Sequence, residues 1–197
     1  WYRIPIVDNN EKLVQIPCKF NFINPHPYLA LGAPYKDKVK LWSLRESVVF
    51  RLIEANKYLQ SLNKNYSLII YDSWRPIEVQ QYMFHYAFRS ECKKRGLNIA
   101  VNEMNSYPEI IKDVEKFWAY PSSDENCPPP HSTGGAIDLA LADSNGNLID
   151  MGCEIDAMDN SACPDFYLDR NTGKAKIWNF RRMILRKVML KFDFVQH

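Results

Sequence analysis

A pair of adjacent glycines, Gly134-Gly135, separates a proline-rich segment from an apolar run of residues. Glycine is unfavourable inside a helix and adopts backbone conformations that other residues avoid, so the pair predicts a sharp turn. The apolar run that follows, residues 136–142, is typical of a strand. The turn can therefore fold His131, which precedes it, back beside Asp138 in the strand.

His131 and Asp138 are candidate ligands of a catalytic zinc ion. Zinc bonds to histidine nitrogen and aspartate oxygen are about 2.0–2.2 Å long, so two ligands of one zinc lie close together. A straight helix would separate the two residues by roughly 10 Å, which the turn avoids. Because side chains alternate along a strand, Asp138 shares its face with the small residues Ala136 and Ala140, which leaves room for a metal or substrate.

The alternative is that the histidine and the acid have unrelated roles, which is the more common outcome for two such residues taken alone. A buried acid needs a partner, because burying an unpaired charge is costly. The glycine pair and the strand pattern favour the metal site, and both interpretations stay open at this point.

Length and composition limit the class of protein. With 197 residues the chain is predicted to form a single domain with a sizeable core. The 46% hydrophobic and 24% charged residues are close to globular averages, which argues against disorder and coiled coil. A net charge of +2 with scattered basic residues predicts no nucleic-acid partner. No apolar run approaches the roughly 18 residues of a membrane span.

The five cysteines, at positions 18, 92, 127, 153 and 163, include no Cys-x-x-Cys pair, which argues against a zinc ribbon. Their number is odd, so at least one thiol is free or pairs between chains. Cys153 and Cys163 could form a local disulfide or remain two thiols, and both alternatives are open.

Helix-type and strand-type segments occur in a mixed order, which predicts an α+β fold rather than a βαβ alternation. Ser43-Leu-Arg-Glu46 resembles a capping box, and apolar residues at helical spacing follow it: Val48, Leu52, Ala55, Leu59 and Leu62. The predicted helices are 44–62, 76–95 ending at Gly96, 108–120 and 177–191. The predicted strands are 68–71, 136–142 and 147–151, with a hairpin turn at Asn145-Gly146 between the last two and a strand start at 192–195.

Three motifs in this order resemble those of the zinc D-alanyl-D-alanine dipeptidases, the VanX-like enzymes of peptidase family M15. His131-x-x-Gly-x-Ala-x-Asp138 is similar to the family's metal motif. Tyr71-Asp-Ser-Trp-Arg75-Pro76 is similar to its strand-end segment with the catalytic arginine, and Met151-Gly-Cys-Glu-Ile-Asp156 to its Met-Gly-x-x-Phe-Asp segment. The likeness covers roughly residues 40–195.

The resemblance implies a hedgehog/DD-peptidase-like fold, with a central antiparallel sheet flanked by helices, and one Zn²⁺ per chain. It implies that His131 and Asp138 bind zinc, that Arg75 stabilises the oxyanion, and that Asp156 binds the free amino group of a small dipeptide substrate. Each residue has a simpler alternative: Arg75 could pair with Asp72, and Asp156 could cap a loop. The resemblance leaves the compartment open between bacterial cytoplasm and periplasm, and it leaves the oligomeric state open.

Two departures from the family pattern bear on the site. Pro129 stands where the family has a serine two places before the metal histidine, which puts substrate detail in doubt. The family's third ligand and general base come from a C-terminal Glu-x-x-His segment, and none follows Phe192-Asp-Phe-Val-Gln-His197. We therefore expect the metallopeptidase domain of residues 1–197 to be truncated there, with His197 a candidate third ligand if it is not. Two other histidines remain: His26 has no clear placement, and His85 is typical of a helix surface or packing position.

Three other functions remain open from the sequence. A D,D- or L,D-carboxypeptidase would act on peptidoglycan stem peptides with the same fold. A non-catalytic binding module would keep the fold with a degenerate site. A cysteine hydrolase would use Cys127 or Cys153 with His131, although nothing marks either thiol as activated.

Overall fold

The computed structural model describes residues 5–196, without the side chain of Val39, and in this part of the chain strands and helices are intermixed. The strands are β1 Leu13–Gln15, β2 Asn21–Phe22, β3 Ser43–Arg45, β4 Ser67–Asp72 and β5 Asp138–Ala142. The α-helices are α1 Pro27–Ala30, α2 Glu46–Leu62, α3 Ile77–Lys94, α4 Pro108–Glu115 and α5 Gly173–Lys191. Short 3-10 helices lie at Lys38–Lys40, Val101–Ser106, Pro130–Thr133 and Asn160–Ala162. The predicted α+β class is confirmed.

A three-stranded sheet in the order β2-β4-β5 carries the site at one end. The β4–β5 pair is antiparallel, as predicted, but β2 joins β4 in parallel, so the sheet is mixed. Ile70 pairs with Leu139 and Asp72 pairs with Asp138, which leaves Tyr71 as an extra residue in β4. Such a bulge redirects the side chains around it. Here it brings the carboxylates of Asp72 and Asp138 to the same end of the sheet.

Two groups of buried side chains lie beside this end of the sheet. Their packing removes apolar surface from water, which stabilises the fold there. One lies between α2, α5 and the sheet and includes Leu52, Leu59, Ile70 and Leu141. The other lies around α1, α3 and α4 and includes Tyr28, Phe84, Phe88 and Ile110. Within residues 5–196, no helix combines the length and the apolar composition that crossing a membrane requires.

Helix α2 ends at Leu62 as predicted, but it begins at Glu46, two residues later than predicted. Ser43 does not cap the helix, because it pairs in β3 with β1 and accepts a hydrogen bond from the Gln15 side chain. Arg45 precedes the helix and makes no side-chain cap bond. The buried stripe is Val49, Leu52, Ala55 and Leu59, while Val48 is half-buried and Leu62 is exposed. Strand pairing therefore replaces the predicted capping box.

The later segments follow the predictions in part. Helix α3 ends before Gly96 as predicted, with φ of +69° at that glycine. Helix α4 ends earlier, at Glu115, and α5 begins earlier because the Thr172 side chain accepts from the Ala175 N–H and caps it. The Gly146 turn forms, but residues 147–151 make only a bridge between Leu148 and Ala142. Residues 192–195 are not a strand, because the backbone turns at Asp193 with φ of +61°.

Gly134 requires glycine on two grounds, and its replacement by alanine should destabilise the fold. Its φ is +76°, and an added Cβ would collide with the side chain of Leu13 in β1. A left-handed conformation costs an alanine roughly 1–2 kcal/mol and overpacking typically about 1–3 kcal/mol, so we expect a loss of roughly 2–4 kcal/mol in the free energy of unfolding. Urea denaturation measures this loss.

Gly96→Ala is the matched control for that substitution. Gly96 has a similar φ of +69°, but an added Cβ there meets no atom within 4 Å. We expect the control to lose only the conformational part, roughly 1–2 kcal/mol. Equal losses in the two variants would show that the contact with Leu13 is unimportant.

Candidate active site

The glycine turn brings His131 and Asp138 together, as its sequence predicts. His131 lies in the Pro130–Thr133 turn, which the Thr133 hydroxyl closes by donating to the Pro130 carbonyl and accepting from the Gly135 N–H. Asp138 begins β5. The His131 Nε2 atom lies 3.4 Å from the Asp138 Oδ2 atom.

This spacing fits two ligands of one zinc ion. Two donors about 2.0–2.2 Å from a zinc, at a tetrahedral angle, are separated by roughly 3.3–3.6 Å. The Nδ1 atom of His131 donates to the Ser73 carbonyl at 2.7 Å, which assigns the ring proton to Nδ1 and leaves the Nε2 lone pair facing Asp138. Metal-binding histidines are usually oriented in this way, by a hydrogen bond from the ring nitrogen that does not bind the metal.

The charges around His131 keep it in an electronegative setting. Burial by itself would lower the pKa of the imidazole, and the positive charge of Arg75 acts in the same direction. The carboxylates of Asp138 and Asp72 outweigh both effects, so the pKa lies above its ordinary value. The same negative field that favours a proton on Nε2 would favour a cation bound there.

Asp72 lies near this pair but does not suit the same ion. Asp72, His131 and Asp138 offer donor atoms that all lie within 4.8 Å of one another. Asp72, however, faces the Nδ1 side of the ring, 3.3 Å from that nitrogen, whereas Asp138 faces Nε2. An ion on Nε2 would be across the ring from Asp72, so the two donors that fit are His131 and Asp138.

Arg75 follows β4 and is buried beside both acids. Its Nε and Nη2 atoms donate to Oδ2 of Asp72 at 3.0 and 2.7 Å, and Nη1 donates to the Gln80 side chain at 2.7 Å. Nη2 also lies 3.4 Å from Oδ2 of Asp138. The pairing with Asp72 that the sequence left as an alternative is therefore present, and it is shorter than the contact with Asp138.

The guanidinium remains charged in this setting. Burial would lower the pKa of Arg75, but Asp72 and Asp138 raise it above its ordinary value. The side chain also stacks on Tyr28 and Trp118, with its central carbon 4.8 and 5.2 Å from the ring centroids. These contacts hold a permanent positive charge at the edge of the proposed metal position.

Asp156 adopts a left-handed backbone with φ of +62°, a conformation that is uncommon outside glycine and that concentrates at functional sites. The Tyr28 hydroxyl donates to its Oδ2 atom at 3.0 Å, and Arg75 Nη2 donates to the same hydroxyl at 3.2 Å. Asp156 is an exposed residue that lines the cavity, and the protein around its carboxyl partly removes that group from water. That burial, followed by the charge of Asp138, raises the pKa of Asp156 above its ordinary value.

Sequence reasoning missed three side chains of the segment 26–35, where the chain has few regular elements. Tyr28 joins Arg75 to Asp156, and burial raises the pKa of its hydroxyl, which therefore remains a donor. The Tyr35 hydroxyl donates to Oδ1 of Asp72 at 3.2 Å, and Nε2 of the buried His26 lies 3.2 Å from the same oxygen. No periodicity or motif marked these residues, and only their high aromatic content was a signal.

The remaining predicted residues have simpler positions. Tyr71 packs against Tyr28, with ring centroids 5.9 Å apart. His85 is half-buried in α3, where burial lowers its pKa. Cys153 and Cys163 are free thiols. His197 lies outside the described residues.

A cavity of about 800 Å³ opens over these groups. Its lining includes Arg75, Trp118, His131, Asp138 and Asp156. Its volume is in the range of small-molecule sites, and both apolar and charged side chains line it. The arrangement can bind a cation, a polarised oxygen and an ammonium group within one enclosure.

Comparison with known proteins shows the family to which this chain is similar. A model of the M15 peptidase family, described as D-ala-D-ala dipeptidase, matches residues 23–197, a range that includes every site residue named above. A curated D-alanyl-D-alanine dipeptidase from Synechocystis sp. (strain ATCC 27184 / PCC 6803 / Kazusa) is 33% identical over 204 residues. That alignment covers all of this chain and 82% of the relative.

Proposed function

Because the chain belongs to the M15 peptidase family, we propose that it hydrolyses D-alanyl-D-alanine, or a related small cell-wall dipeptide, with the help of one zinc ion. One observation carries this proposal: His131 Nε2 and Asp138 Oδ2 lie at zinc-ligand spacing, 3.4 Å apart. Arg75 Nη2 approaches the same Asp138 oxygen at 3.4 Å.

His131 and Asp138 would hold the metal, and the Ser73 carbonyl keeps the histidine in the tautomer that a ligand needs. Bound zinc supplies Lewis-acid polarisation of a carbonyl and lowers the pKa of a coordinated water toward about 7. The small side chains on the same face of β5 leave space for the substrate beside the two ligands.

Arg75 would bind the oxygen of the scissile carbonyl and stabilise its developing negative charge. A donor that is already oriented costs no reorganisation when the charge forms, which is why such groups contribute strongly to catalysis. The bonds to Asp72 and Gln80 hold the guanidinium in place before substrate arrives. Arg75 then acts on the transition state more than on the ground state.

Asp156 would bind the free amino group of the dipeptide, with Tyr28 fixing the carboxylate that receives it. An ammonium group there would offset the burial and the charge of Asp138 that raise the pKa of the carboxyl. A substrate without that positive charge would cover Asp156 and leave it only the Tyr28 hydroxyl as a partner, which is costly. This selection acts against substrates that are extended at their N-terminus.

The test compares D-Ala-D-Ala with N-acetyl-D-Ala-D-Ala as substrates of the full-length, zinc-loaded protein. A hydrogen bond to a charged group contributes about 1.5–3 kcal/mol, and solvent around the exposed Asp156 weakens it, so we expect kcat/KM for the acetylated peptide to be roughly 10-fold lower. Asp156→Asn should lower kcat/KM for the free dipeptide. It should also reduce the difference in kcat/KM between the free and the acetylated peptide.

Glu154→Gln is the matched control, because Glu154 is an exposed acid that lines the same cavity two residues away. This substitution should leave the ratio between the two peptides unchanged. Equal or faster cleavage of the acetylated peptide by the unsubstituted protein would rule out the dipeptidase proposal.

A further inference from the structure

We propose that Asp72 is a positioning residue that keeps Arg75 from forming a close ion pair with Asp138, so that the Asp138 carboxylate stays available to a metal ion. This inference rests on the proposed function, because it assumes that Asp138 is a zinc ligand. Asp72 itself neither binds the ion nor contacts the substrate in this assignment.

The carboxylate of Asp72 is fully buried and surrounded by donors. Its Oδ2 atom accepts both N–H groups from Arg75 and lies 3.3 Å from Nδ1 of His131. Its Oδ1 atom accepts from Tyr35, with His26 also 3.2 Å away. The surrounding donors keep this anion in one orientation.

A single nitrogen of Arg75 is shared between the two acids. Nη2 lies 2.7 Å from Oδ2 of Asp72 and 3.4 Å from Oδ2 of Asp138. The shorter and doubly bonded partner dominates, because charge-assisted hydrogen bonds weaken with distance and a fork pairing adds a second bond. Asp72 therefore holds the guanidinium at a distance from the oxygen that faces His131 Nε2.

Without the negative charge of Asp72, the nearest acid to the guanidinium would be Asp138. An unpaired buried cation is costly, so Arg75 would shorten its existing 3.4 Å contact with Asp138 into a close ion pair. That pair would occupy the oxygen that zinc requires. Metal binding would then have to break it, and the affinity for zinc would fall.

Asp72 could instead act through His131 by making its imidazole a stronger ligand. A double variant that removes both Asp72 and Arg75 separates that effect from competition by Arg75. It abolishes the competition but still leaves His131 without the charge of Asp72, so zinc affinity would stay low if Asp72 acted through the histidine. The Ser73 carbonyl, at 2.7 Å from Nδ1, maintains the tautomer in either case.

The test measures zinc dissociation constants by competition with a chromogenic chelator, using the full-length protein. We expect Asp72→Asn to weaken zinc binding by about 10–100-fold, the usual effect of losing an outer partner of a metal site. The double variant Asp72→Asn with Arg75→Met should recover affinity to within about threefold of the unsubstituted protein, because the competing cation is gone.

Two controls separate this mechanism from others. Tyr35→Phe removes a hydrogen bond from the same carboxylate without changing charge, and it should leave zinc affinity within about threefold of the unsubstituted value. Asp156→Asn removes one negative charge from the same cavity without releasing Arg75 from Asp72, and it should weaken zinc binding less than Asp72→Asn does. Thermal unfolding of the metal-free variants checks that each one folds.

Several outcomes would overturn the inference: an unchanged affinity in Asp72→Asn, a double variant that stays weak, or an equally large effect of Asp156→Asn. If Asp72→Asn alone does not fold, the double variant removes both charges of the pair and carries the test, and weak zinc binding there overturns the inference. Failure of the unsubstituted protein to bind one zinc would instead contradict the proposed function.

Discussion

Replacing Asp138 with alanine should abolish stoichiometric zinc binding and lower kcat/KM for D-Ala-D-Ala by at least about 10³-fold. The physical reason is that the metal is expected to contribute several kcal/mol of charge stabilisation, and each 1.36 kcal/mol corresponds to about tenfold in rate. Of the two ligands proposed within residues 5–196, only His131 would remain, which weakens the binding of the ion. Metal content by mass spectrometry and steady-state kinetics on the purified full-length protein measure both effects.

The fold should survive this change. The Asp138 side chain is about one-third exposed, at 35%, so its truncation leaves no closed cavity in the core. Asp169→Ala, at an exposed acid outside the site, is the control and should keep both zinc and activity. An Asp138→Ala protein that retains one zinc ion and normal activity would refute the assignment of this carboxylate as a ligand.

Replacing Arg75 with lysine should lower kcat by about 10²–10³-fold while changing KM by only a few fold. Loss of one oriented donor to an oxyanion costs about 2.7–4 kcal/mol in known cases, and the interaction belongs to the transition state. Lysine keeps a positive charge beside Asp72, so the buried acid retains a partner. It does not reproduce the forked geometry with which arginine reaches Asp72 and Gln80 together.

The control for Arg75→Lys is Arg89→Lys, at an exposed position of α3. This variant should have the kinetic constants of the unsubstituted protein. If Arg75→Lys raises KM and leaves kcat unchanged, Arg75 binds the ground state, and its proposed role in stabilising the oxyanion is wrong. Zinc content should remain one per chain in both variants, which separates this effect from loss of the metal.

Local chemistry made much of the fold predictable. The apolar periodicity of residues 46–62 and the Gly96 stop depend on neighbours within a few positions of the chain. The turn at Gly134 is equally local, since it follows from backbone freedom and from the Thr133 hydroxyl that closes it. These local signals are sufficient to predict that His131 lies beside Asp138.

Predictions failed where a distant partner overrode a local preference. Ser43 has the spacing of a cap residue, but it pairs in β3 with β1. Its hydroxyl accepts a hydrogen bond from the Gln15 side chain instead of capping the helix. Residues 147–151 are strand-like in sequence, but the Asp150 carboxylate accepts a hydrogen bond from the Trp178 side chain of α5. In both places the competing contact is made with a residue far away along the chain, and no sequence pattern links the two residues.

The sequence by itself determined the long helices, the two strands that carry Asp72 and Asp138, the turn between His131 and Asp138, and the motifs that resemble the family. The tertiary structure alone decided how the site is oriented. Tyr28 and Asp156 are 128 positions apart, and the bulge at Tyr71 that aims Asp72 inward depends on pairing with β5. The physical reason is that propensity and turn chemistry act over a few residues, whereas a buried charge is stabilised by whichever donors the folded chain brings to it.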